Sequence, residues 1–402
     1  MMNSRIKRLT LALLTVGIVT LTACSSGTAA STMTAGELQA GEKYKVALSL
    51  SYTGNDWQDA AANLVKAQAD TEPYKSKVDL TVDIAGSEVT KQIQTLNNEI
   101  SAGVDAIILY AISPTALNAT IEKACAKGIV VMAYDSIVTA PCAYNVHIDQ
   151  YEHGTKTATW LAEELKGKGT IANVTGVPGT SVSTDRQKAL ADVLKKYPGI
   201  TIAGSARGDW NQALGKAAFE SIQSAHPDVD GVFAETGCFA ITQAQVSAGE
   251  VPLPCAGEYT NGHHLYMLPE SMGGVGLRSA SAASAVYSGE LAFINAIKVL
   301  EGGTVGKNII LPLPYFTTDD VNALGAKAVG LDPSTDGSLM LPAGTVEGGF
   351  FDGYWSPLVE QGYKAAMTGT SNKISTALSC SNVPGCIEND QLTLDSNHSG
   401  GN

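Results

Sequence analysis

From Tyr44 onward, short runs rich in Val, Ile, Leu and Ala alternate with amphipathic stretches of helical period. No other feature constrains the fold as much. Strands that are apolar throughout and separated by helices build parallel sheets covered on both faces. Strands are expected at 44–51, 78–84, 105–110 and 129–134, then at 170–175, 200–206, 231–234 and 275–277. Helices are expected at 57–69, 89–100, 114–126, 152–165, 183–195, 211–224, 239–248 and 285–300, with extended chain at 308–314. Ile93, Leu96 and Ile100, for example, share one helical face. Two successive series predict two doubly wound α/β lobes.

In such sheets a ligand sits beyond the carboxyl ends of the strands. The segments there are 51–57, 111–114, 135–136, 176–186, 207–210, 235–237, 258–262 and 278–281, rich in polar groups, Gly and Trp. Two lobes facing each other across a cleft would bring them together.

The N-terminus reads as an export signal. Arg5, Lys7 and Arg8 precede an uncharged apolar stretch, Leu9 to Leu21, shorter than the about 20 residues of a membrane span. The stretch ends in Leu21-Thr22-Ala23-Cys24, which resembles the lipobox of bacterial lipoproteins, where the Cys is lipidated and becomes the new N-terminus. An ordinary cleaved signal with a chance Cys is the alternative. Residues 25–40 are small and polar and read as a tether. Loss of the signal removes three positive charges and no acidic residue, so the net charge of −13 becomes −16. So acidic a chain is a poor partner for nucleic acid or an anionic surface. Of seven Cys, six remain besides Cys24. Export favours disulfides, and the local pairing is Cys125–Cys142, Cys238–Cys255 and Cys380–Cys386, with one pair left reduced as the alternative.

The order of elements and several strand-end motifs over residues 44–316 resemble the ribose- and galactose-type periplasmic binding proteins, the sugar-capturing subunits of ABC importers. Gly54-Asn55-Asp56-Trp57 follows the first strand; DAIILYAISPTAL spans Asp105–Leu117; IVVMAYDS ends the fourth strand. Gly179-Thr180-Ser181 with Asp185-Arg186 matches a Gly-rich turn presenting a sugar-binding Arg, Gly208-Asp209-Trp210 falls where a stacking aromatic is placed, and His226-Pro227-Asp228 leads into GVFAET. The sequence departs from the pattern at Asp135-Ser136, where Asp-Arg is usual, at Thr236-Gly237, and at Glu258-Tyr259 with Asn261 nearby. The chain also runs on after 316, beyond the family's usual end.

The resemblance implies the type I periplasmic binding fold, two doubly wound parallel-sheet lobes joined by a hinge, here with a C-terminal extension. The expected division is a signal at 1–23, a lipidated tether at 24–40, one lobe at 41–149 plus 282–312, the other at 150–281 plus 313–378, and a disulfide-looped, largely flexible tail at 379–402. A sugar or polyol offers hydroxyls that donate and accept, and apolar C–H faces. Asp135 would accept from two hydroxyls, Arg186 would donate through its fork, and Asn55 would do both. Trp57 and Trp210 would stack on opposite ring faces. Ser51, Thr236, Tyr259, Asn261 and Ser279 complete the expected ligand-binding set, with Arg278 beside them.

The implied protein is a monomeric extracytoplasmic lipoprotein, anchored in the membrane by lipid alone, with an ABC permease and its cytoplasmic ATPase as partners and no cofactor. A sensor of the same fold that signals to a membrane partner is the alternative. An enzyme is disfavoured, because no Ser/His/Asp order, paired-carboxylate motif or metal spacing stands out. His263-His264 is read as no metal site, since adjacent helical residues diverge. The aromatic cluster at 348–355 is expected to pack on the hinge, with a reach into the cleft as the alternative.

Overall fold

The computed structural model describes residues 41–329, 365–366, 368–370 and 378–390. Cys24 with its signal and tether, and the aromatic cluster at 348–355, lie outside the described residues. The strands are β1 (Tyr44–Leu50), β2 (Val78–Ile84), β3 (Ala106–Tyr110), β4 (Val130–Tyr134), β5 (Tyr144–His147), β6 (Lys168–Thr175), β7 (Gly199–Arg207), β8 (Gly231–Ala234), β9 (Cys255–Glu258), β10 (Ser279–Ala282), β11 (Asn308–Ile310), β12 (Tyr315–Thr317) and β13 (Ile387–Asn389).

Two sheets result, one per lobe. The first has the order β13-β11-β5-β4-β3-β1-β2 and the second β12-β10-β9-β8-β6-β7. Every pairing is parallel except the two edge strands, β13 on β11 and β12 on β10. Both faces of the first sheet are buried. Leu48, Ile108 and Met132 pack under the helices Asp56–Ala69 and Ser288–Leu300. Ala47, Ile107, Leu109 and Val131 meet Leu96, Ile100 and Ile121 on the other side. In the second lobe Val174 and Val232 face Phe219 and Ile222, while Ile171 and Phe233 face Leu161 and Leu190. Each buried Leu, Ile or Phe contributes about 1.5–3 kcal/mol relative to exposure. Burial on both faces is why these strands read as continuous apolar runs.

The chain passes from one sheet to the other between β5 and β6, between β10 and β11, between β11 and β12, and between β12 and β13. The first passage holds Gln150, first residue of the helix Gln150–Glu164, which packs on the second sheet. The second holds Ser284, just after β10 and before the helix Ser288–Leu300, which packs on the first.

The sequence reading differs from the structure in particular places. Strands β5 and β9 were not expected: they are only four residues long, and β9 is Cys-Ala-Gly-Glu, with no apolar run. Gly257 is needed in β9 because a Cβ there would lie 1.6 Å from the carbonyl oxygen of Ala234. The last strand of the second series is not the expected 275–277 but Ser279–Ala282, a buried strand of small residues. Apolar Val275 and Leu277 instead form a turn bonded to the Tyr266 carbonyl. Within the segment read as a flexible tail, Ile387–Asn389 pairs with β11 and forms the edge of the first sheet.

Three disulfides close with the local pairing: Cys125–Cys142, Cys238–Cys255 and Cys380–Cys386, at Cα separations of 6.3, 5.8 and 5.4 Å. Among the described residues no helix is long and apolar enough to cross a membrane.

Candidate functional site: the interlobe cleft

The carboxyl ends of both sheets converge on one cavity. It is lined by Tyr52, Asn55, Trp57, Tyr110, Asp135, Val182, Arg186, Trp210, Thr236, Glu258 and Ser284, around about 330 Å³ of empty space that includes its opening. First-lobe and second-lobe residues thus face one another directly.

Local structure aims these groups. Asn55 caps the helix Asp56–Ala69, its side chain accepting from the Gln58 amide at 2.8 Å. Fixing the cap fixes the loop that carries Tyr52 and the first helical turn that carries Trp57. Asp135 follows β4 at φ 54°, and Asp209 and Trp210 follow β7 at 49° and 54°. Left-handed backbone is unfavourable for such residues and clusters where function requires it. The turn lays the Trp210 indole against Gly176, where a Cβ would sit 2.2 Å from the ring. The Trp210 ring then stacks on Tyr52 of the other lobe, centroids 6.1 Å apart and planes 24° from parallel. Ile112 and Val177 join this apolar contact, and Asn211 donates to the Gly54 carbonyl at 3.2 Å.

A polar network lies behind the rings. Arg186 is 1% exposed. Its Nη1 lies 2.5 Å from Glu258 Oε2, its Nε donates to Gln150 Oε1 at 2.9 Å, and its Nη2 donates to Ser284 Oγ at 3.2 Å. Gln150 Nε2 donates to Asp135 Oδ1 and to Ser284 Oγ, both at 2.9 Å. Ser284 N–H donates to Glu258 Oε1 at 2.8 Å, and its carbonyl accepts from Trp57 Nε1 at 3.0 Å. Two residues on the chain crossings, Gln150 and Ser284, therefore tie the Asp of one lobe to the Arg of the other. Glu235 accepts from Trp210 Nε1 at 3.0 Å, Ser183 Oγ at 2.7 Å and Gln187 Nε2 at 2.9 Å.

The charges respond to burial. Burial pushes the Asp135 carboxyl up to about 7, against the lowering pull of Arg186. Burial also raises Glu235, with Arg186 and Ser183 opposing. Burial acts to raise Glu258 too, but Arg186 and His153 outweigh it and hold that carboxyl below its usual range. Burial and the nearby Arg186 lower His153, which stays neutral.

Of the residues expected from sequence, Asn55, Trp57, Asp135, Arg186, Trp210 and Thr236 line the cavity. The others do not. Ser51 is buried with its side chain outside the lining. Tyr259 donates to Asn261 Oδ1 at 2.8 Å inside the second lobe, one residue beyond Glu258. Ser279 opens β10, at the end remote from the cleft, where it meets His263 Nε2 at 2.6 Å. Arg278 is paired on the surface with Glu164 and Asp319. The two imidazoles diverge: His263 meets Ser279, and His264 meets Ser281 Oγ at 2.6 Å. No cluster of metal-ligating side chains exists among the described residues.

Tyr52, Tyr110, Val182, Glu258 and Ser284 were missed. Tyr52 and Glu258 lie inside the strand-end segments, so the signal was present. Alternation along a strand decides which neighbour points into the cleft, and one residue of register reverses it. Ser284 was lost with the misplaced last strand.

This fold and cleft define a solute-binding protein. The chain belongs to the periplasmic binding protein domain family, whose model matches residues 46–265, more than half of its length. It is 30% identical over 197 residues to the xylitol-binding protein of Mycolicibacterium smegmatis, covering 48% of this chain and 56% of that protein. It is 26% identical over 279 residues to the ribose import binding protein of Bacillus subtilis, covering 69% of this chain and 88% of that protein. The fold matches an ABC transporter solute binding protein of Thermobispora bispora with a TM-score of 0.63 at 23% identity, over 75% of this chain and 89% of that one. These relatives are named for solutes they bind, not for reactions, and the family is one of binding proteins rather than enzymes.

Proposed function

We propose that this protein is an extracytoplasmic solute-binding lipoprotein of an ABC importer, capturing a monosaccharide or polyol between its lobes. The observation that carries the reading is the cavity itself. Aromatic rings and multivalent polar groups from both lobes converge on it, the combination a hydroxylated ligand requires. Trp57 and Trp210 offer π faces to C–H groups, while Asp135, Asn55 and Thr236 offer hydrogen bonds. The relatives named for xylitol and ribose support the same class.

Binding requires no reaction. Ligand would favour the closed arrangement, which then docks on the permease. Lipidation of Cys24 would keep the protein at the membrane where that partner resides.

Titration calorimetry with a panel of pentoses, hexoses and polyols is expected to reveal a binder in the micromolar range or tighter. Absence of heat from the whole panel would refute the sugar assignment. For the anchor, Cys24→Ala is expected to move the protein from the membrane fraction to the soluble fraction. Retention in the membrane would refute lipidation at Cys24.

A further inference from the structure

We infer that the cleft is built for a polyhydroxylated ligand that carries a protonated amine, an amino sugar or aminopolyol. This rests on the proposed reading of the cleft as a site for a hydroxylated solute.

The first observation is a charge imbalance. Asp135, Glu235 and Glu258 are 4%, 1% and 6% exposed, and Arg186 is the one cation among these side chains. Arg186 is already committed, with Glu258 at 2.5 Å and the neutral partners Gln150 and Ser284. His153, 3.5 Å from Glu258, is held neutral by burial. Asp135 and Glu235 form no ion pair among the described residues. They are held by the neutral donors Gln150, Ser183, Gln187 and Trp210. A buried carboxylate with no cation in contact is costly, and burial holds the Asp135 carboxyl at about 7 despite the pull of Arg186. Asp135, which lines the cavity, is the one positioned to receive a partner from the ligand. Ser136, the next residue, supplies no cation and donates to the Ala111 carbonyl at 2.6 Å.

The second observation is independent of charge. Tyr52, Trp57, Tyr110 and Trp210 form an aromatic wall around the same cavity. Trp57 and Tyr110 are 5.9 Å apart between centroids, and Tyr52 meets Tyr110 edge-on at 5.6 Å. Burial raises the hydroxyls of Tyr52 and Tyr110, so both rings stay neutral. Rings around a carboxylate are the arrangement that recognises an ammonium, through the negative π faces and the counter-ion together. An anionic sugar would meet the carboxyl groups of Asp135 and Glu258, with Arg186 already paired to Glu258.

The test is titration calorimetry on the intact protein with compounds that differ at one group: glucosamine against glucose, 1-amino-1-deoxysorbitol against sorbitol, and an aminocyclitol against its inositol parent. Galacturonate is the anionic control. At neutral pH an amine is expected to bind about tenfold or more tighter than its parent alcohol. That advantage is expected to vanish in Asp135→Asn, with folding checked by thermal melting. Should that variant not fold, raising the pH past the amine's own titration must erase the advantage in the unmodified protein. Parents binding as tightly as their amines, or galacturonate binding comparably, would overturn the inference and leave the sugar or polyol reading standing. Silence from every compound here would overturn the inference, and silence extending to the whole panel of pentoses, hexoses and polyols would overturn both.

Discussion

The guanidinium of Arg186 and the carboxylate of Glu258 lie 2.5 Å apart, 1% and 6% exposed, at the base of the interlobe cleft. The two side chains come from the helix Ser181–Leu194 and from the last residue of β9, so their contact fixes helix against sheet where ligand would enter. Breaking a buried pair by removing one partner costs about 3–5 kcal/mol, because the other is left uncompensated. Arg186→Met strands Glu258 together with Glu235 and Asp135. It is expected to lower the unfolding free energy by about 3 kcal/mol or more in a denaturant titration. An unshifted midpoint would mean that the pair contributes nothing.

Asp135 should matter to binding more than to stability. If it accepts ligand hydroxyls, Asp135→Ala is expected to weaken affinity by about 1–3 kcal/mol, read by calorimetry with whichever ligand is identified. Unchanged affinity would remove it from the site.

Gly176 sets the position of Trp210. A Cβ there would clash with the indole at 2.2 Å and with Glu235 Oε2 at 2.5 Å. The Gly176→Ala change is expected to displace the ring, weaken ligand binding about tenfold and alter the intrinsic fluorescence. Wild-type affinity and an unchanged emission spectrum together would contradict this placement.

Stability should fall as the pH rises through the neutral range. Burial pushes Asp135 up to about 7 and Glu99 up to about 8, from ordinary values of 3.8 and 4.5. At these two sites the folded chain binds more protons than the unfolded chain, while the buried His153, His263 and His264, lowered from 6.5, act in the opposite sense below that value; the unfolding free energy therefore decreases with increasing pH above about 6.5. Glu99 lies under the first sheet near Ser49, remote from the cleft lining. Glu99→Gln is expected to flatten the dependence and stabilise the protein at pH 8 by about 2 kcal/mol. Chemical denaturation at pH 5 and pH 8 measures it, and parallel curves for the two proteins would exclude Glu99 as a cause.

The Cys238–Cys255 bridge joins the start of the helix Cys238–Ser247 to the start of β9, with both residues buried. It closes a separation of 17 residues. Replacing both by Ala is expected to cost about 3 kcal/mol. A melting temperature equal to the parent's would show that the bridge is dispensable.

The two-lobe fold was legible because its strands are buried on both faces. Apolar runs such as 105–110 and 129–134, separated by amphipathic helices, admit few other architectures. The six expected residues that line the cavity follow from the same rule, since they lie just past strand ends or on the helix that follows one. Strands β9 and β10 escaped detection because Cys-Ala-Gly-Glu and Ser-Ala-Ser-Ala are buried through backbone pairing and small volume, not through apolar bulk.

The sequence by itself determined that the chain builds two parallel-sheet lobes and that polar and aromatic residues gather at the strand ends. Periodicity and residue type carry that information locally. Only the tertiary structure decided that Glu258, and not Tyr259, pairs with Arg186, and that Gln150 and Ser284 join them at the crossings between lobes. Side-chain direction at a strand end turns on a single residue of register. Contacts between residues as far apart in the chain as Asp135 and Ser284 exist only once two independently patterned sheets have been brought face to face.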